Sequence, residues 1–178
     1  MDTTTVYDVA VLAHCIWYFN SPSVLVTTLQ VLAKRAKRIC LAEWALETQN
    51  TSAIPHLLAV LSIAAVECHN SNSAANVRSI LSPKGIKAIA EEVGLQMLSE
   101  STFTPPQGEF GMRDGMWEVQ YALSDGFKKK NVDRFVENER EKAIVQALLD
   151  ATAAHTPAVK KDITTMDVWT GIFVPEGI

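Results

Sequence analysis

Apolar and polar positions fall in blocks along this chain. Residues 7–14 (YDVAVLAH) form a nearly continuous apolar run rich in Val, the pattern of a strand buried on both faces of a parallel sheet. Asn20-Ser21-Pro22-Ser23 then supplies a cap with Pro at the first helical position, and Leu25, Leu29, Leu32 and Ala36 recur at helical spacing. Lys34, Arg35, Lys37 and Arg38 follow in the predicted last turns, where cations suit the negative end of the helix dipole. Residues 38–44 (RICLAEW) repeat the buried-strand pattern. Strand, helix and strand within about forty residues predict a right-handed parallel crossover, and so an α/β fold.

Thr51-Ser52 and Pro55 start a second helix, with Leu57, Leu58, Leu61, Ala65 and Cys68 on one side, and residues 69–73 are a polar loop. Ser82-Pro83 caps a third helix carrying Ile86, Ile89, Ala90 and Val93, and Gly94 ends it. Residues 95–104 can form a strand that Pro105-Pro106 terminates. Residues 107–115, with Gly108, Gly111 and Gly115, read as a loop leading to 116–123. There Trp117, Val119, Tyr121 and Leu123 alternate with Glu118, Gln120 and Ala122, which predicts a half-exposed antiparallel strand and a mixed sheet. Asn131 or Asp133 begins a long amphipathic helix with Val136, Ala143, Ile144, Ala147, Leu148 and Ala151 as its stripe. The tail, residues 163–174, is apolar enough to dock as a strand or as an irregular cover. The expected architecture is α/β, parallel strands plus one antiparallel strand flanked by helices, over residues 1–125, with a helical extension and docking tail over 126–178.

Composition narrows the functions. With 178 residues, 48% of them hydrophobic, the chain can bury about two thirds of its unfolded surface in one domain. Its net charge of −4, from 16 basic and 20 acidic side chains, and the lack of a basic cluster beyond Lys128-Lys129-Lys130 argue against a nucleic-acid partner. The apolar runs at 9–13 and 57–66 fall short of the roughly twenty residues a bilayer span requires. Met1-Asp2-Thr3-Thr4-Thr5 lacks the basic start and apolar centre of a signal peptide, so a cytoplasmic protein is expected. Cys15, Cys40 and Cys68 are widely spaced in apolar surroundings without a C-x-x-C, which predicts buried free thiols. His56 and His69 have no carboxylate or thiol at ligand spacing, and no metal site is expected.

Several strings go further. YDVAVLAHCIWYF, ICLAEWAL, the Ser82-Pro83 helix ending at Gly94, and DGMWEVQYAL resemble matching stretches of class I S-adenosylmethionine-dependent small-molecule methyltransferases of the kind found in filamentous fungi. The resemblance covers about residues 6–123, and more weakly 165–169. It makes 7–14 the fourth strand of a Rossmann-like seven-stranded sheet, 39–44 the fifth, 95–104 the sixth and 116–123 the seventh, and leaves the first three strands without a counterpart. In that family a glycine-rich turn after the first strand holds the cofactor, because backbone must approach the ligand without a Cβ in the way. None of the 8 glycines here is arranged as G-x-G.

The resemblance implies S-adenosylmethionine as cofactor and a small molecule, a secondary metabolite, as methyl acceptor. Ligands of doubly wound sheets bind beyond the carboxyl ends of the strands. That puts His14, Cys15, Trp17 and Tyr18 after one strand, and Glu43 and Trp44 after the next, on the functional rim. His14 becomes the candidate general base, with Glu43 to orient it; the plainer alternative is a half-buried strand-end histidine. His14, Cys15, Trp17 and Tyr18 would meet the cofactor, and Trp17, Tyr18 and Trp44 would wall the acceptor, or simply fill core. Methyl transfer by the isolated chain is not expected. A cyclase or isomerase that keeps the pocket, and a non-catalytic partner of another methyltransferase-like chain, are the alternatives. The apolar 7–14 strand would become an exposed edge. A homodimer, a methyltransferase-like partner or the folded-back tail would cover it.

Overall fold

In the computed structural model, residues 5–106, 112–159 and 162–176 are described. They run in the order β1 (Tyr7–Ala13), a 3-10 turn (Ile16–Tyr18), α1 (Pro22–Ala33), β2 (Ala36–Trp44), a 3-10 turn (Thr51–Ala53), α2 (Ile54–Glu67), α3 (Pro83–Glu92) and β3 (Leu95–Phe103). There follow α4 (Met112–Ala122), α5 (Asp125–Phe127), a π-helical turn (Lys128–Val132), α6 (Asp133–Phe135), α7 (Glu139–His155) and β4 (Val168–Pro175). Two compact units result, one from the described residues of 1–45, 79–103 and 168–178, the other from those of 46–78 and 104–167.

The first unit is a mixed four-stranded sheet in the order β1-β2-β4-β3. β1 and β2 are parallel, and β4 is antiparallel to both β2 and β3. α1 and α3 pack on this sheet and on each other. The α/β reading with one antiparallel strand therefore holds, but that strand is Val168–Pro175 and not 116–123. The alternation at 116–123 is incidental: α4 buries Gly115, Val119 and Ala122 at helical spacing, whereas Trp117 and Tyr121 face out. The small residues of that stripe carried no apolar signal. The tail lies between β2 and β3, so it does not cover β1.

Local signals explain most boundaries. The Ser82 hydroxyl accepts the Gly85 N–H to cap α3, and Gly94 ends the helix at φ +78°, in the left-handed region open to glycine. α1 stops at Ala33, earlier than predicted, and buries Leu25 and Leu29. Ala36 already belongs to β2, so Lys37 and Arg38 are strand residues, and Lys37 Nζ reaches Asp8 on β1 at 2.7 Å.

The second unit centres on α2, which packs against α4 and α7. α2 buries His56, Ala59, Val60, Ile63, Val66 and Glu67, while the predicted face of Leu57, Leu58, Leu61 and Ala65 is only half-buried. It is apolar on most sides, and neighbours rather than periodicity choose the buried one. α7 begins later than predicted because Val136 is extended and the Asn138 side chain accepts the Arg140 and Glu141 N–H groups. Its buried stripe is Val145, Leu149 and Thr152; the predicted Ile144 is exposed. Two thiols, Cys15 and Cys40, are half-buried and Cys68 is exposed, against the expectation of three buried ones. Among the described residues no helix is long and apolar enough to cross a membrane.

Candidate functional site

The carboxyl ends of β1 and β2 converge in the first unit. The His14 N–H donates to the Ala42 carbonyl at 2.9 Å, which continues the ladder, and His14 then turns at φ +47° into the 3-10 turn. A positive φ is uncommon for a residue with a Cβ and collects at functional positions. Along β2, Ile39, Leu41 and Glu43 share the buried side, so a carboxylate occupies a core position and is only 1% exposed. Such a charge is tolerated only with hydrogen-bonding partners. Glu43 has them: Oε2 accepts the Ile16 N–H at 3.0 Å and Oε1 accepts the Trp44 N–H at 3.1 Å. One side chain thereby ties the segment after β1 to the end of β2.

A further neighbour of this carboxylate is His14. Nδ1 lies 3.4 Å from Glu43 Oε1, inside ion-pair range, yet makes no hydrogen bond of ordinary geometry and is buried. The ring tilts at 54° over Trp44 with centroids 4.6 Å apart, and 41% of the side chain remains exposed. A carboxylate beside Nδ1 favours the proton there, which leaves the Nε2 lone pair to accept one. Burial first, and then the Glu43 charge, push the Cys15 thiol up, so it stays protonated at neutral pH.

The sequence-derived candidates thus separate. His14, Glu43 and Trp44 meet, with Cys15 beside them, and Tyr18 is exposed after the turn. Trp17 does not line the rim. It is buried, its indole N–H donates to the Leu81 carbonyl at 3.4 Å, and its own carbonyl accepts the Ser79 N–H.

The second unit holds a polar pair that sequence reasoning missed. His56 is fully buried; Nδ1 accepts the Met166 N–H at 3.0 Å, so Nε2 carries the proton and faces Glu118 Oε2 at 2.5 Å. The backbone of Gly115 lies against this ring and the Thr164 carbonyl, where an added Cβ would stand 2.9 Å from Thr164 O and 3.3 Å from His56 Cγ. Glu67, also buried, is satisfied by the Asn131 and Asn70 amides. No local signal marks these pairs, whose members lie 62 and 64 positions apart. Among the described residues no group of three or more His, Cys, Asp or Glu could hold a metal ion.

The described glycines answer whether a nucleotide-type cofactor could be gripped as in the fold's usual site. Gly115 is closed off by Thr164 and His56, Gly171 by Trp169 and Phe173, and Gly94 ends a helix in front of a strand. Among the described residues, none forms a strand-to-helix cradle.

No protein-family model matches the chain, and no curated protein does. Among solved structures, it is similar to a cyclopropane-fatty-acyl-phospholipid synthase-like protein from Lactobacillus casei, with a TM-score of 0.73 and 19% identity. The likeness covers 96% of this chain and 56% of the other, so the chain spans little more than half that protein's length. At this identity it is the fold that is shared: a mixed α/β sheet flanked by helices.

Proposed function

We propose that this chain is a methyltransferase-like protein whose rim residues bind a small hydroxylated or enolic acceptor, of the kind found among secondary metabolites, and remove its proton. The observation that carries the reading is the junction of His14, Glu43 and Trp44 at the carboxyl ends of two parallel strands. The Glu43 carboxylate lies beside Nδ1, and Nε2 takes the acceptor proton. The imidazolium so formed is then paired with a carboxylate 3.4 Å away. Trp44, with Tyr18 further out, offers aromatic surface to a flat acceptor.

S-adenosylmethionine is the cofactor that goes with this fold. The described residues do not fit its usual grip, since no glycine cradle lies between a strand and a helix. Methyl transfer by these residues alone is therefore not proposed. The same observation favours a second reading, a non-methylating cyclase or isomerase, because proton removal by His14 begins either reaction.

Ligand-induced thermal shift and isothermal titration test the proposal, with phenolic and enolic acceptors and with S-adenosylmethionine separately. A saturable acceptor shift, weakened in His14→Ala and in Glu43→Gln, is expected. No acceptor response at millimolar concentration would overturn it. Saturable heat with S-adenosylmethionine alone would restore the cofactor grip to this chain.

A further inference from the structure

We propose that His56 is a proton-operated latch on the buried segment 163–167: neutral, its ring holds the segment closed, and protonated, it lets the segment go. This latch lies in the second unit and does not depend on the chemistry proposed for His14.

Residues 163–167 form no helix or strand, yet Ile163 and Met166 are fully buried and Thr164, Thr165 and Asp167 nearly so. Backbone N–H groups in such a segment need partners inside the protein. The Thr164 N–H donates to the Ser52 carbonyl and the Asp167 N–H to the Glu47 carbonyl, each at 3.1 Å. The Met166 N–H donates instead to His56 Nδ1, at 3.0 Å. Of these three acceptors only the imidazole titrates in the neutral range.

The geometry fixes what a proton does there. Nδ1 accepts the Met166 N–H only while its lone pair is free, so the closed segment requires the neutral ring, with its proton on Nε2 toward Glu118 Oε2. A second proton goes to Nδ1, sets two N–H groups against each other and leaves the Met166 N–H buried without an acceptor. The ring has no room to turn aside, because Gly115 packs so closely that a Cβ there would stand 3.3 Å from His56 Cγ and 2.9 Å from Thr164 O. What yields is the segment, which no regular ladder of hydrogen bonds holds in place.

The charges around the ring allow the protonated state to form. Glu118 faces it from α4, and 24% of that side chain is exposed, so the imidazolium keeps a counter-charge and the pair is within reach of water. α7 turns Val145, Leu149 and Thr152 inward, none of which titrates. The Asp167 carboxylate accepts the Thr104 hydroxyl at 2.8 Å, and Glu47, before the turn that leads into α2, is exposed. Glu67 lies at the far end of α2, bonded to the Asn131 and Asn70 amides.

Exchange of single amide hydrogens in the full chain, followed by NMR and corrected for the intrinsic pH dependence of exchange, tests the latch. If the closed segment admits only the neutral ring, and an imidazole in water titrates near pH 6.5, opening takes up one proton and should rise on the order of thirty-fold from about pH 7.5 to about pH 5.0. The Met166 amide should report that rise, whereas the Ile86 amide, bonded to the Ser82 carbonyl at the start of α3, should not follow it. His56→Asn puts an amide oxygen in place of Nδ1 and cannot titrate, so Met166 protection should stay level over the same range. The parent chain gives a second readout that needs no variant: the nitrogen shifts of the His56 ring should show Nδ1 bare at about pH 7.5 and protonated only in the opened form. Met166 opening that ignores pH in the parent, an equal rise in His56→Asn, or a protonated Nδ1 with Met166 still protected would overturn the proposal.

Discussion

Gly171→Ala isolates a packing constraint at the centre of the sheet. Gly171 lies in β4, opposite Leu41 of β2 and Glu100 of β3. A Cβ built there would stand 2.7 Å from both Trp169 Cη2 and Cζ2, and 2.8 Å from Phe173 Cε2. Ordinary contact begins near 3.4 Å. Two buried rings, tilted at 59° with centroids 6.4 Å apart, would therefore have to separate. Neither moves freely: both belong to the core, and the Trp169 indole N–H is bonded to Glu100 Oε2 at 2.8 Å. Two effects oppose each other. Replacing a strand glycine with alanine recovers about 0.5–1 kcal/mol of backbone entropy, whereas overpacking a close-packed core costs about 1–3 kcal/mol. The clash wins, and a net loss of about 1–2 kcal/mol is expected. For a chain of this length that lowers Tm by roughly 2–8 °C. Urea unfolding read by circular dichroism should show a lower midpoint at unchanged slope. Gly126→Ala is the control: its nearest neighbour is Ser124 Oγ at 3.6 Å, so helix propensity decides and stability stays level or rises by about 0.5–1 kcal/mol. In a Trp169→Phe background, which removes the two closest ring atoms, Gly171→Ala should cost less, and the difference is their coupling. A Gly171→Ala chain as stable as its parent would refute the reasoning.

Three further outcomes concern polar and titratable groups. His56→Leu strands the Met166 N–H and the Glu118 carboxylate, so a loss of about 2–4 kcal/mol is expected in the same urea assay, and a loss under about 0.5 kcal/mol would show that the pair contributes little. Cys15, raised by burial and by Glu43, should alkylate slowly at neutral pH and faster with rising pH, and Glu43→Gln should speed it when followed by peptide mass spectrometry; an unchanged rate in that variant argues against the Glu43 effect. The indole N–H of Trp169, and then Lys87, hold the Glu100 carboxyl below its ordinary range. A lowered carboxyl contributes stability above its unfolded value and loses it as pH falls through the folded one, so Glu100→Gln should flatten the fall in Tm between about pH 6 and about pH 3. An equally steep fall in the variant would contradict that assignment.

Some of this was legible one residue at a time. The β1 and β2 strands, the Ser82 cap and the Gly94 stop depend on neighbours within a few positions, so pattern and turn chemistry sufficed to place them, although β1 is largely exposed and not buried on both faces. His14 and Glu43 were placed together because parallel strands bring their carboxyl ends side by side, a consequence of topology that a strand–helix–strand pattern already carries. α4 was not legible: its alternating aromatics imitate a strand, and the glycine and alanine of its buried stripe give no hydrophobic signal. The chosen faces of α2 and α7 were hidden for the opposite reason, since apolar residues on several sides leave the choice to whatever packs against them.

By itself, then, the sequence determined the α/β class, the parallel crossover and the rim on which His14, Glu43 and Trp44 stand. Only the tertiary structure decided that the antiparallel strand comes from residues 168–175, inserted between β2 and β3, and that His56 meets Glu118 across 62 positions. The reason is physical: local pattern records which residues prefer to leave water, whereas the partner that covers them is set by long-range packing, which no window of neighbouring residues contains.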